Sequence, residues 1–175
     1  MSERRHPNVI NVDEAEVMDT KQGGFASRRR RLGAAAGAKA LGCSHFEIDP
    51  GKTAFPFHFH TNTEEAIYVL EGTGTARIGA ASVAVRAGDY LAYPASPEAP
   101  HALTNTGKGP LRYLALSSPT TPVTIDAVGY PDSKKIAFAA GVDPQKGLRS
   151  AALMKLIKDD VPQVGYYDDE PLAKE

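Results

Sequence analysis

FPFHFHTNTEEAIYVLEG, residues 55–72, sets two histidines one residue apart, and then two adjacent glutamates, into a run of Phe, Ile, Val and Leu. Aromatic and β-branched residues bounded by Pro and Gly read as strands, and side chains alternate across a strand with period two. His58 and His60 therefore share a face. A turn through Thr61, Asn62 and Thr63 lets the next strand return alongside, carrying Glu65 on one face with Ile67 and Val69, and Glu64 on the other with Ala66 and Tyr68. A lone histidine in an apolar strand is usually a satisfied core residue. Two imidazoles and a carboxylate in one small volume are different, because burying the carboxylate without a compensating cation is costly.

The same rhythm continues outward. ALGCSHFEI, TARIG, SVAVRAG, DYLAYP, HALTN and RYLALS are short β-rich runs between turn residues, and Pro50-Gly51 turns the chain before the histidines. About eight strands at this spacing suit a jelly roll, two Greek keys folded into a double-layered β-barrel. Before the barrel, PNVINVDE reads as an arm strand and SRRRRLGAAAGAK as an edge strand followed by a loop. After Pro119 the rhythm is lost. VGYPDSKKIAF offers one more strand, and GLRSAALMKLIKD a short helix with Leu148, Ala152 and Leu156 at helical spacing. Tyr166 and Tyr167 are the groups that would pack the acidic end. The expected organisation is an arm over 1–39, a barrel core over 40–118 and an extension over 119–175.

Bulk properties narrow the partners. A chain of 175 residues with 42% hydrophobic content can bury one proper core. Lys+Arg 20 against Asp+Glu 21 leaves a net charge of -1, so no whole-chain field favours nucleic acid or an anionic membrane. Arg28 to Arg31 lack interleaved aromatics and read as a solvated edge or a dimer-interface strand. The single Cys43 closes no internal disulfide. The polar start and the lack of a run of about 20 apolar residues point to a soluble cytoplasmic protein.

Gly51, His58, His60, Glu65 and Gly72, followed by Gly88, Pro94, His101 and Asn105, stand in the order of the two motifs of the cupin superfamily, which residues 40–117 resemble. Three features depart from it. One residue more than usual separates Gly51 from His58, Ser96 replaces a glycine, and the PEAP segment before His101 is longer than usual, which should lengthen a loop at the barrel mouth. The resemblance implies an all-β cupin-type double-stranded β-helix with an N-terminal arm and a short C-terminal extension. It also implies a metal site of His58, His60, Glu65 and His101, with spacing to Gly72 selecting Glu65 over Glu64.

Three imidazoles and a carboxylate suit one divalent transition metal, Fe, Mn, Ni or Zn. Tyr68, Arg77, Tyr93 and Arg112 are the groups to watch near a substrate cavity, and Lys52 and Thr53 could meet an anion. Asn105 reads as a turn residue, His45 as a sheet-face residue and His6 as unrelated to the site. By resemblance, the expected function is a metal-dependent enzyme of a small polar metabolite, with sugar-phosphate isomerisation in the lead and Glu64 as one possible base. A non-haem Fe(II) dioxygenase and a non-catalytic ligand-binding or sensor module are the alternatives, and a homodimer is expected.

Overall fold

Alternation becomes strand pairing throughout the computed structural model, which describes residues 5–119, 125–143, 150–162, 164, 165 and 168. One sheet contains β1 (Met18–Gln22), β2 (Phe25–Arg30), β3 (Gly42–Ile48), β10 (Leu111–Pro119), β5 (Thr63–Glu71) and β8 (Tyr90–Tyr93), in that spatial order. A second contains β13 (Leu153–Lys158), β12 (Lys135–Ala140), β11 (Ile125–Tyr130) and β4 (Phe59–His60). The third contains β7 (Ala81–Arg86), β6 (Thr73–Ile78) and β9 (His101–Thr104). At β9, a single bridge from His58 to His101 ties the third sheet to the segment that leads into β4, and another from Thr53 to Thr104 ties it to a segment that also bridges Phe25 of β2. The result is the mostly antiparallel, double-layered β architecture of a jelly roll.

The core fills the space between the layers. Phe46, Ile48, Val69, Leu91, Tyr93, Leu103, Leu111 and Tyr113 form one buried cluster, with Tyr113 stacked on Phe46 at 5.2 Å between ring centroids. Gly72, at φ +87, makes the β5–β6 turn in a conformation that L side chains rarely adopt. Gly129 has another role: a Cβ there would run into the Phe59 ring, so glycine lets β11 lie close against β4. No helix among the described residues is long and apolar enough to cross a membrane.

Several expectations need correction. PNVINVDE forms no arm strand; Val12–Glu14 is a 3-10 turn, because Asn11 accepts from the Asp13 amide while Glu14 accepts from the Asn11 amide. The first strand is β1 instead, joined to β2 through Gly23-Gly24, which makes β2 an inner strand rather than an edge. A four-residue helix, α1 (Leu32–Ala35), follows it. FPFHFH is a strand only at Phe59–His60, with bends at Phe55 and Phe57, since Pro56 has no N–H to donate and His58 makes an isolated bridge to His101. Finally, LMKLIK is not helical. Leu153–Lys158 pairs in antiparallel register with β12, whose edge satisfies its backbone, while Leu148, Tyr166 and Tyr167 lie outside the described residues. VGYPDSKKIAF yields parts of two strands, β11 and β12, around a 3-10 turn at Pro131–Ser133.

Candidate metal centre

The four expected ligands converge. His58 and His60 enter from the segment that joins the second and third sheets, Glu65 from β5 and His101 from β9. Around Glu65 Oε2 stand His101 Nε2 at 3.1 Å, His58 Nε2 at 3.6 Å and His60 Nε2 at 3.7 Å. His58, His60 and Glu65 offer atoms within 4.8 Å of one another, and His101 joins them through its contact with Glu65. Glu64, one residue away, is exposed on the opposite face.

The outward-facing nitrogens fix the chemistry of the inward-facing ones. His58 Nδ1 donates to the Pro56 carbonyl at 2.8 Å and His101 Nδ1 to the Ala99 carbonyl at 3.1 Å. His60 Nδ1 donates to Asp126 Oδ2 at 2.5 Å. Each of these partners is an acceptor, so in the neutral ring the proton sits on Nδ1 and Nε2 presents a lone pair to the centre. Three lone pairs facing a carboxylate within 3.7 Å repel unless a cation lies among them. Outward bonds of this kind are also how proteins orient metal-binding imidazoles. The residues present therefore fit a divalent metal on their donor chemistry.

Charges in the site follow. Burial alone would raise the Glu65 carboxyl, but His101 and His58 rings that also carry a proton on Nε2 donate to it and, with the His60 ring, hold it well below the usual range; a cation in the site would take the place of those protons. Burial opposes charge on His60, yet the bond to Asp126 prevails and raises it. Asp126 is lowered against its own burial, chiefly by His60.

Asp126 escaped the sequence reading. It is 6% exposed on β11 and receives bonds from Thr61 N at 3.1 Å, Asn62 N at 2.9 Å and Thr63 Oγ1 at 2.9 Å, besides His60. One carboxylate thus secures both a histidine and the turn between the two ligand-bearing strands. The available signal was a single acid in the apolar run TIDAVGY. Tyr130, at the end of the same strand, lies 6.2 Å from the His58 ring.

A cavity of about 40 Å³ opens beside the cluster, lined by Phe55, His58, Glu65, Tyr93, His101 and Tyr113 among others. Of the four residues expected near it, Tyr93 is the one that lines it. Its ring stacks on His101 at 3.7 Å, and its buried hydroxyl has no hydrogen-bond partner among the described residues. Burial, helped by the Glu65 charge, raises that phenol, so it stays protonated. The other three lie elsewhere. Tyr68 is 41% exposed on the outer face of β5. Arg77 covers the Phe57 ring at 3.6 Å and pairs with Asp132, while Arg112 pairs with Glu47 and Glu71 on the outer face. Parity explains both: each is the outward neighbour of a core residue, Ala76 or Tyr113.

The remaining side chains have local roles. Asn105 donates to the Ile48 and Gly109 carbonyls and accepts from the Gly107 amide, securing a turn. Lys52 donates to the Gly23 carbonyl, and Thr53 bonds Thr104. His45 is buried on β3 away from the cluster, and His6 accepts from the Asn8 amide.

Comparison with known proteins agrees with this fold. The family model for the Cupin domain matches residues 44–117. An uncharacterized protein of Methanocaldococcus jannaschii is 37% identical over 62 residues, 35% of this chain and 48% of that protein, so the match spans about half of the relative. A candidate sugar phosphate isomerase of Acidithiobacillus ferrooxidans superposes with a TM-score of 0.74 at 23% identity, over 91% of this chain and 97% of the other. A sugar phosphate isomerase of Silicibacter pomeroyi gives 0.72 at 18% identity over 90% and 97%. A predicted oxalate decarboxylase of Thermotoga maritima gives 0.56 at 22% identity, over 63% of this chain and 98% of the other.

Proposed function

We propose, from the premise that this chain is a member of the cupin superfamily, that it is a metal-dependent enzyme acting on a small polar metabolite, with isomerisation of a sugar phosphate as its reaction. One observation carries the metal: three imidazoles, each anchored through Nδ1, turn Nε2 towards Glu65 Oε2. His58, His60, Glu65 and His101 would hold it, and a divalent cation there supplies Lewis acidity towards a carbonyl or hydroxyl oxygen. Isomerisation is favoured because the two neighbours that superpose on about nine-tenths of this chain bear that description.

The chain's own groups do the rest. Phe55, Tyr113 and Leu103 give the cavity an apolar wall beside the polar cluster. Tyr93 offers a neutral O–H with unspent donor capacity, suited to a substrate oxygen near His101. Glu64 is exposed on the far face, which disfavours it as a base. The expected homodimer has support in β13, an outermost strand that exposes Leu153, Met154, Leu156 and Ile157.

Metal analysis of protein purified without chelators, followed by aldose–ketose interconversion on a sugar-phosphate panel, tests the reading. Near-stoichiometric zinc, manganese, nickel or iron with metal-dependent interconversion is expected. Failure to retain or take up any transition metal would sink it; oxygen consumption with bound iron, and no interconversion, would transfer the assignment to dioxygenation.

A further inference from the structure

Of the arginines at positions 28 to 31, the structure sets Arg29 apart. Arg28 faces outward, and its guanidinium is committed to Glu47 and Asp49 at 2.5 and 2.6 Å. Ser27 and Arg29 face inward, and Arg29 lies opposite Phe46 in the β2–β3 register. Its Nε donates to Ser44 Oγ at 3.0 Å, and its Cζ stands 5.3 Å from the centre of the Phe46 ring. Among the described residues it forms no ion pair, and this bond to Ser44 is its hydrogen bond. Burial pulls it below its ordinary value and the neighbouring Arg31 adds to that, while the negative charge of Glu65 acts the other way.

A guanidinium drawn out of water without a carboxylate is costly in the free protein. Aromatic contact with Phe46 offsets only part of that cost. Phe46 stacks on Tyr113 and meets Phe55 edge-on at 5.4 Å, and those two rings wall the cavity that contains His58, Glu65 and His101. A cation with uncommitted terminal nitrogens thus stands behind the aromatic wall of the proposed active site.

We propose that Arg29 is the recognition group for an oxyanion of the substrate, a phosphoryl or a carboxylate, held while the rest of the molecule reaches the metal ligands. This deepens the proposed function and takes from it only that the cavity binds substrate. A guanidinium fork matches either oxyanion with paired N–H bonds. Net charge does not reveal such a site, because an inward arginine without an ion pair is hidden in the same run as the paired Arg28.

The test uses the full-length chain freed of metal by chelator, so its outcome does not depend on the metal reading. Inorganic phosphate and malonate are titrated separately, following the Nε–H resonance of Arg29 by NMR and the affinity by calorimetry. The resonance should shift with at least one anion. Arg29→Gln should weaken that binding about tenfold or more, and Arg28→Gln should leave it within about twofold. A stronger response to phosphate assigns the phosphoryl group; a stronger response to malonate assigns the carboxylate. An unmoved Arg29 resonance with both anions, or equal affinity in Arg29→Gln, overturns the inference. If Arg29→Gln does not fold, the wild-type resonance decides alone. Retained anion binding in a protein that takes up no metal would remove the enzymatic reading and leave this one standing.

Discussion

His60 is anchored through Nδ1 to Asp126 and turns Nε2 towards Glu65 Oε2, 3.7 Å away. Asp126→Asn removes the charge behind the imidazole and keeps an acceptor for the 61–63 turn. Metal affinity is therefore expected to fall about 10–100-fold while the variant stays folded, as read by competition with a chromophoric chelator and by circular dichroism. Unchanged affinity would mean that Asp126 only secures the turn. The four candidate ligands were legible because strand parity and motif spacing are local properties of the sequence. Asp126 was not, because its partners lie more than 60 residues away and an isolated acid in an apolar strand does not announce what it meets. Arg29 was hidden for a related reason: in a run of four arginines, composition is silent about which one the sheet turns inward.

Four strands are tied across their outer face by a row of alternating charge. Arg28 on β2 faces Glu47 on β3, which faces Arg112 on β10, which faces Glu71 on β5. The contacts run from 2.5 to 2.6 Å. The bond from Arg112, against some burial and with help from Arg28, lowers the Glu47 carboxyl below its ordinary 4.5. A lowered carboxyl contributes stability that is complete above that ordinary value and is lost as pH falls through the native one. Glu47→Gln should thus cost about 1 kcal/mol at neutral pH, a partly exposed row being screened by solvent, and almost nothing in strong acid or high salt. Urea unfolding of both proteins at neutral and acidic pH checks this; a penalty independent of pH would assign the loss to packing. The strands in this row were read correctly from alternation and turns. The ends of the chain were not: Asn11 and Glu14 close a capping box that outweighs the β-branched pair Val9 and Ile10, and LMKLIK, compatible with helix or strand by spacing, is decided by the free edge of β12.

At the scale of the molecule, the ligands belong to different sheets. Glu65 sits in the six-stranded sheet, His60 in the four-stranded and His101 in the three-stranded, with the His58 bridge between the last two. Backbone pairing at that junction is sparse among the described residues, an isolated bridge between His58 and His101. A cation that binds all four side chains joins the layers where hydrogen bonds do so least, and unfolding separates the ligands and releases it. Binding to the native state alone adds about 2.7 kcal/mol when free metal is 100 times its Kd, a rise of roughly 5–10 °C in Tm for a chain of this size. The jelly roll was legible as a rhythm of strands; this coupling was not, because it depends on which sheet each strand joins. Calorimetric scans of chelated protein with and without added zinc or manganese measure it. The upward shift should be largely lost in His60→Ala, whose metal-free scan should still show one cooperative transition near the wild-type temperature. Superimposable wild-type scans with and without either metal would remove the cation from the stability of the fold and the four side chains from their assigned role.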